Sequence, residues 1–200
     1  LEDTETSLQV TTPSTDINDV MGFAVDANGR YFSFNDTATE TRLYSSLNSF
    51  VAQALFNGGL GAAFDDIADL TINAAGQIYA IRSEAGGQTS LLYKVNIDSD
   101  SGTITSFDLI NQVSDTNGNL IVNITAVDAD PESELLYAIG QYDGDDTRML
   151  FTIDPSSGEA VLVGAVTAYG TTNTVELQIS SLAWDNSGTM LFGVVEDFDG

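Results

Sequence analysis

The feature that most constrains this 200-residue chain is a repeat. Residues 21–34, 67–81, 124–139 and 179–194 share one pattern: an apolar run, a turn rich in Asp and Asn, then a second run in which a small residue follows an aromatic one. The aromatic stands at Phe32, Tyr79, Tyr137 and Phe192, at intervals of 47, 58 and 55 residues. Self-similarity at such a period means stacked supersecondary units, none of which closes a core by itself.

The units read as strands. β-branched and aromatic residues cluster in short runs bounded by Gly, Asp, Asn, Ser and Pro. A third run follows in the first three units, at 41–46, 90–95 and 148–153. A fourth follows at 103–107 and 160–163, with 51–55 as its counterpart in the first unit. Asn28-Gly29 signals a tight hairpin. Asp154-Pro155 through Gly158 supplies a proline-fixed φ and a glycine able to take φ > 0. Only residues 49–60 read loosely as helix, stopped by Asn57-Gly58-Gly59. Four short antiparallel strands recurring at about 40 to 60 residues predict an all-β fold, a β-propeller of about four four-stranded blades. The blades fall at about 17–64, 65–122, 123–177 and 178–200, the last one partial.

The fourth unit stops where its third strand is due. Either the 200 residues belong to a longer chain with more blades, which we expect, or the strand comes from elsewhere. Residues 1–16 form an acidic extended N-terminal segment whose β-like run, 7–12, is suited to complete the last blade or to pair with a neighbouring molecule by strand addition. A half-built blade would expose a sheet edge.

Leu136-Tyr137-Ala138-Ile139, followed by Leu150-Phe151-Thr152-Ile153-Asp154-Pro155-Ser156-Ser157-Gly158, resembles the "LYAI … LYTIDPxTG" repeats of secreted bacterial β-propeller proteins. The resemblance extends over residues 19–200 and implies a fold; such blades serve many unrelated functions. The WD-repeat and Kelch signatures and the sialidase Asp-box are absent, and Trp184-Asp185 is a lone dipeptide.

Charge narrows the function classes. Thirty acidic residues against five basic ones give −25, with no His and no Cys. Such a surface repels nucleic acid and anionic lipid. Disulfides, thiol catalysis, zinc sites of His and Cys, and His-based triads lack their atoms. A hydrophobic content of 42% is enough for a core, so the charge does not mean disorder. No apolar run approaches the roughly 20 residues of a membrane helix, so no membrane insertion is expected. No signal peptide stands at the start, and Leu1 without Met reads as a processed end. Zero Cys beside an Asp excess and a single lysine, Lys94, suggests an extracellular or cell-surface location in saline water, where carboxylates hold hydration. An acidic cytosolic protein is the alternative.

The candidate sites are acidic or aromatic. Asp98 and Asp100 in one turn, and Asp143, Asp145 and Asp146 in another, crowd oxygen donors as calcium requires, as do Asp197 and Asp199. None is an EF-hand: counted from Asn96, Gly102 arrives one residue late and Phe107 takes position 12. Plain turn chemistry is the competing explanation. Asn35-Asp36-Thr37 and Asn123-Ile124-Thr125 are glycosylation sequons. Asp19, Asp69 and Asp128 fall on the first strands of units, where a pair about 5 to 10 Å apart would suit glycoside hydrolysis. Against this, no hydrolase motif flanks them and no His stands by as a base near pH 7. Most tyrosines occupy repeat positions and read as packing. Tyr142 and Tyr169 fall in loops and read as contact residues, while Trp184 reads as core.

The expectation is a non-enzymatic extracellular structural or binding module of a surface adhesin or extracellular assembly. Calcium is the one cofactor considered. The partners are other copies of itself, a surface protein or a polysaccharide. The alternatives are a filament subunit polymerising through strand 7–12 and a secreted hydrolase using channel carboxylates.

Overall fold

The structure, a computed structural model, describes residues 19–26, 28–36, 41–45, 53–54, 67–83, 89–100, 104–166, 179–185 and 187–195. Every regular element among them is a strand. β1 (Asp19–Val25), β2 (Tyr31–Asp36), β3 (Thr41–Ser45) and β4 (Gln53–Ala54) form the first sheet in chain order. β5 (Ile67–Ile72), β6 (Ile78–Ser83), β7 (Ser90–Ile97) and β8 (Ile104–Gln112) form the second. After β9 (Ser114–Asp115), the third sheet takes β10 (Ile121–Ala129), β11 (Leu136–Tyr142), β12 (Met149–Ile153) and β13 (Glu159–Ala165). The last described pair is β14 (Ile179–Trp184) with β15 (Leu191–Val195).

All of these pairings are antiparallel except one. β9 runs parallel to β13, with Ser114 opposite Glu159 and Asp115 opposite Ala160, and adds a fifth strand to the third sheet. The link between second and third sheets thus covers the third sheet's outer edge, which four strands per unit did not anticipate. Within the stretch read loosely as helix, Gln53 and Ala54 are extended and pair with Leu43 and Arg42. Pairing with a neighbouring strand satisfies their backbone groups and outweighs local propensity.

The first strands β1, β5, β10 and β14 are neighbours of one another, so the sheets stack as blades around that line. Because successive side chains alternate across a sheet, each blade feeds one face into the seam before it and the other into the seam after it. Three apolar clusters fill the seams. The first joins Ala24 and Phe32 to Ile67, Leu70, Ile78 and Ala80. The second joins Tyr79 and Ile81 to Ile124, Val127, Leu136 and Ala138. The third joins Ala126 and Ile139 to Ile179 and Leu182. Full burial of one such side chain is worth roughly 1.5–3 kcal/mol. The chain is an all-β protein built of propeller blades.

The hairpin between first and second strands turns on one Asp or Asn in every sheet. Asp26 Oδ1 accepts from the N–H groups of Asn28 (2.9 Å) and Arg30 (2.8 Å). Asn73 Oδ1 accepts from Gln77 N–H at 2.8 Å, Asp130 Oδ1 from Glu132 N–H at 2.9 Å, and Asp185 Oδ1 from Thr189 N–H at 2.8 Å. Gly29 and Gly76 close their turns in the left-handed region, at φ 74° and 80°, where a side chain would be strained. Much of the Asp excess is therefore turn chemistry.

Candidate functional site

Two of the three first-strand acids lie in the seams. Asp69, only 5% exposed, accepts Leu70 N–H on Oδ1 at 2.8 Å and, across the seam, Val127 N–H on Oδ2 at 2.9 Å. Asp128 repeats the device one blade on. Its Oδ2 accepts Trp184 N–H at 2.7 Å, while Oδ1 accepts the Thr71 hydroxyl (2.8 Å) and Ala129 N–H (3.0 Å). Thr71 Oγ1 in turn accepts Ala129 N–H at 2.9 Å. First strands of adjacent blades share no ladder, so their facing N–H groups need acceptors from side chains.

Burial pushes the Asp69 carboxyl up to about 8, against the pull of the two N–H donors and with a further push from the Asp128 charge. Asp128 is also raised by burial, opposed by the Trp184 N–H and the Thr71 hydroxyl. Both carboxylates are spent on holding strands together, and Asp69 is too buried to meet a polymeric substrate. The side chain of Asp19 lies outside the described residues.

An open concavity of about 620 Å3 lies elsewhere, lined by Asp115, Gly118, Asn119, Leu120, Tyr142 and Asp143. Two turns build it. In the first, Asp115 Oδ1 accepts the N–H groups of Asn117 (2.8 Å) and Asn119 (2.9 Å), and Oδ2 accepts Asn119 Nδ2 at 2.8 Å. The Asn119 side chain, with these N–H groups, holds the Asp115 pKa below its ordinary value. Asp143 N–H donates to Leu120 O at 3.1 Å and ties the second turn to the first. Tyr142 was expected in a loop; it closes β11 instead, half-buried, its ring edge-on to Phe151 at 5.4 Å. That contact fixes the plane of the Tyr142 ring beside the exposed Asp143. The result is an aromatic surface flanked by a carboxylate and an amide.

The acidic turns are separate structures. Asp98 Oδ1 accepts Asp100 N–H at 3.1 Å, and Asp145 Oδ1 accepts Thr147 N–H at 2.8 Å. Asp143 and Asp146 are exposed in the second turn. Among the described residues no group of three or more His, Cys, Asp or Glu is placed to hold a metal ion. Asn123 is half-buried at φ 50°; its carbonyl accepts from Arg148 Nη1 at 2.6 Å, and the Thr125 hydroxyl of its sequon donates to Ile179 O at 2.7 Å. Asn35 sits on β2 between Val20 and Arg42, its side chain outside the described residues, as are residues 7–12, Tyr169, Asp197 and Asp199. Trp184, expected in the core, is half-buried, edge-on to Tyr137 at 4.9 Å. Sequence reasoning missed Thr71 and Asn119; the Asp115-Thr116-Asn117-Gly118 turn signal was the available pointer to the latter.

No protein-family model matches this sequence, and no curated protein does. Solved structures do. The extracellular domain of a hybrid two-component system from B. thetaiotaomicron is similar over 94% of this chain and 24% of its own, with 16% identity and a TM-score of 0.49. A luciferin-regenerating enzyme is similar over 81% of this chain and 48% of its own, with 14% identity and a TM-score of 0.51. The PQQ-bound aldose sugar dehydrogenase of Streptomyces coelicolor is similar over 90% and 57%, with 16% identity and a TM-score of 0.53. The chain spans less than two thirds of each of these proteins. At such identities the likeness bears on the fold alone. Enzymes are among the proteins that share it, and the fold by itself decides nothing about catalysis. Among the described residues no helix is long and apolar enough to cross a membrane.

Proposed function

We infer that the chain is a non-enzymatic extracellular binding module, part of a surface adhesin or extracellular assembly, and that it holds neutral polysaccharide at the concavity beside Tyr142. The observation that carries this reading is the pairing of a fixed aromatic ring with exposed Asp143 and with Asn119 around about 620 Å3 of open space. A sugar offers C–H groups to an aromatic face and hydroxyls to carboxylate and amide oxygens. A net charge of −25 favours an uncharged polyhydroxylated partner over an anionic one. The seam carboxylates argue in the same direction, since Asp69 and Asp128 are committed to backbone donors.

Titration calorimetry against a panel of neutral polysaccharides tests the reading. Tyr142→Ala and Asp143→Asn each weaken binding about tenfold or more while thermal melting stays put. Binding that survives both substitutions, or turnover of any panel member, overturns it.

A further inference from the structure

Every seam is filled by the same repeat positions. Facing the preceding blade stand Leu70, Val127 and Leu182, all buried. Their counterpart in the first blade is Phe23, which has no blade before it and is 55% exposed, with Val25 on the same strand face 43% exposed. Facing the following blade stand the buried Phe32 and Tyr79 and, two residues beyond the repeat aromatic, Ile81 and Ile139. Their counterparts on β15 are Phe192 and Val194, 53% and 60% exposed. The stack therefore ends in two unlike apolar faces, each half of a seam that the molecule already makes three times.

We propose that two copies of this chain associate head to tail, the Phe23–Val25 face of one stacking on the Phe192–Val194 face of the other as an intermolecular blade seam. The occupant follows from continuity with the internal seams: a face of the first type is filled, in each of the three, by a face of the second type. The contact is heterologous, so it closes into a ring or propagates according to the arc each copy spans. The repeat extends to polar groups. Gly22, Asp69 and Ser181 each follow the bulge of a first strand. Ser181 thus brings an oxygen to the place from which Asp69 reaches the next blade. Two bodies of −25 charge repel, and salt weakens that repulsion.

Analytical ultracentrifugation of the 200-residue chain at about 0.1 M and about 1 M salt provides the test. Association is expected to rise with protein concentration and to tighten with salt. Phe23→Asp and Phe192→Asp alter exposed positions, so melting temperatures hold while each variant alone becomes monomeric. A mixture of the two variants regains one intact contact per pair and forms dimers, and nothing larger. A chain monomeric in high salt overturns the proposal. So does an oligomer indifferent to both substitutions, or one abolished instead by removal of residues 1–15. Saccharide binding is a separate measurement and is expected unchanged in both variants.

Discussion

The carboxylate of Asp128 accepts the backbone N–H of Trp184 at 2.7 Å, so a side chain of the third blade holds the first strand of the fourth. Asp69 holds Val127 of the third blade in the same way at 2.9 Å. These acids act as seam latches, and their substitution reads out as stability.

Asp128→Asn illustrates the point. An amide offers one acceptor where the carboxylate offers two, and its NH2 meets an N–H or a hydroxyl donor. The expected cost is about 1–3 kcal/mol, seen as a lower denaturant midpoint with saccharide binding intact. A variant of unchanged stability would show that the latch contributes nothing.

Stability should fall as pH rises toward 8. The folded state keeps a proton on Asp69, where burial raises the pKa to about 8, whereas the unfolded chain releases it near the usual carboxylate value of about 4. The Asp69 contribution is complete below about 4 and is lost as pH passes through about 8. Asp185 works in the opposite sense. The Ser187 hydroxyl, with several N–H groups, lowers it to about 2, and its contribution disappears as pH drops from about 4 to about 2. Melting temperature measured from pH 3 to pH 9 should therefore peak on the acid side of neutral, roughly pH 4–5. Asp69→Asn should flatten the alkaline limb; an unchanged slope would remove Asp69 as its source.

Gly22→Ala should destabilise the first seam. A methyl there would lie 2.8 Å from Leu70 N and 2.8 Å from Asp69 Oδ1, and the backbone atom has nowhere to go. The expected loss is roughly 1–3 kcal/mol by chemical denaturation. Wild-type stability would mean that the first two blades separate without cost.

Trp184→Phe should be neutral or stabilising. Trp184 Nε1 is buried without a hydrogen-bond partner, and phenylalanine retains an edge-on ring against Tyr137 while removing that donor. A fall of more than about 1 kcal/mol would contradict this account.

The blades were legible because their signals are local. Asp26, Asn73, Asp130 and Asp185 recur in one repeat column and turn their hairpins in the same way. The repeat aromatics announced packing, and Phe32 and Tyr79 are buried. The latches were illegible because they do not recur. Asp69 stands two positions earlier in its repeat than Asp128 does in the next, so neither marks a column, and each acts across about one full repeat. Strand β9 was invisible for another reason: two residues carry no periodicity, and only β13 makes them a strand. Tyr142 stood out in sequence as a contact residue, yet the concavity also needs Asn119, brought in by a turn more than twenty residues away.

The parallel clip of Ser114 and Asp115 on β13 has a mechanical meaning. Tension applied between the second and third blades loads its hydrogen bonds lengthwise, in shear, rather than unzipping them singly. A surface-tethered molecule pulled by flowing water would resist extension most strongly at mid-chain, and its two ends would yield first.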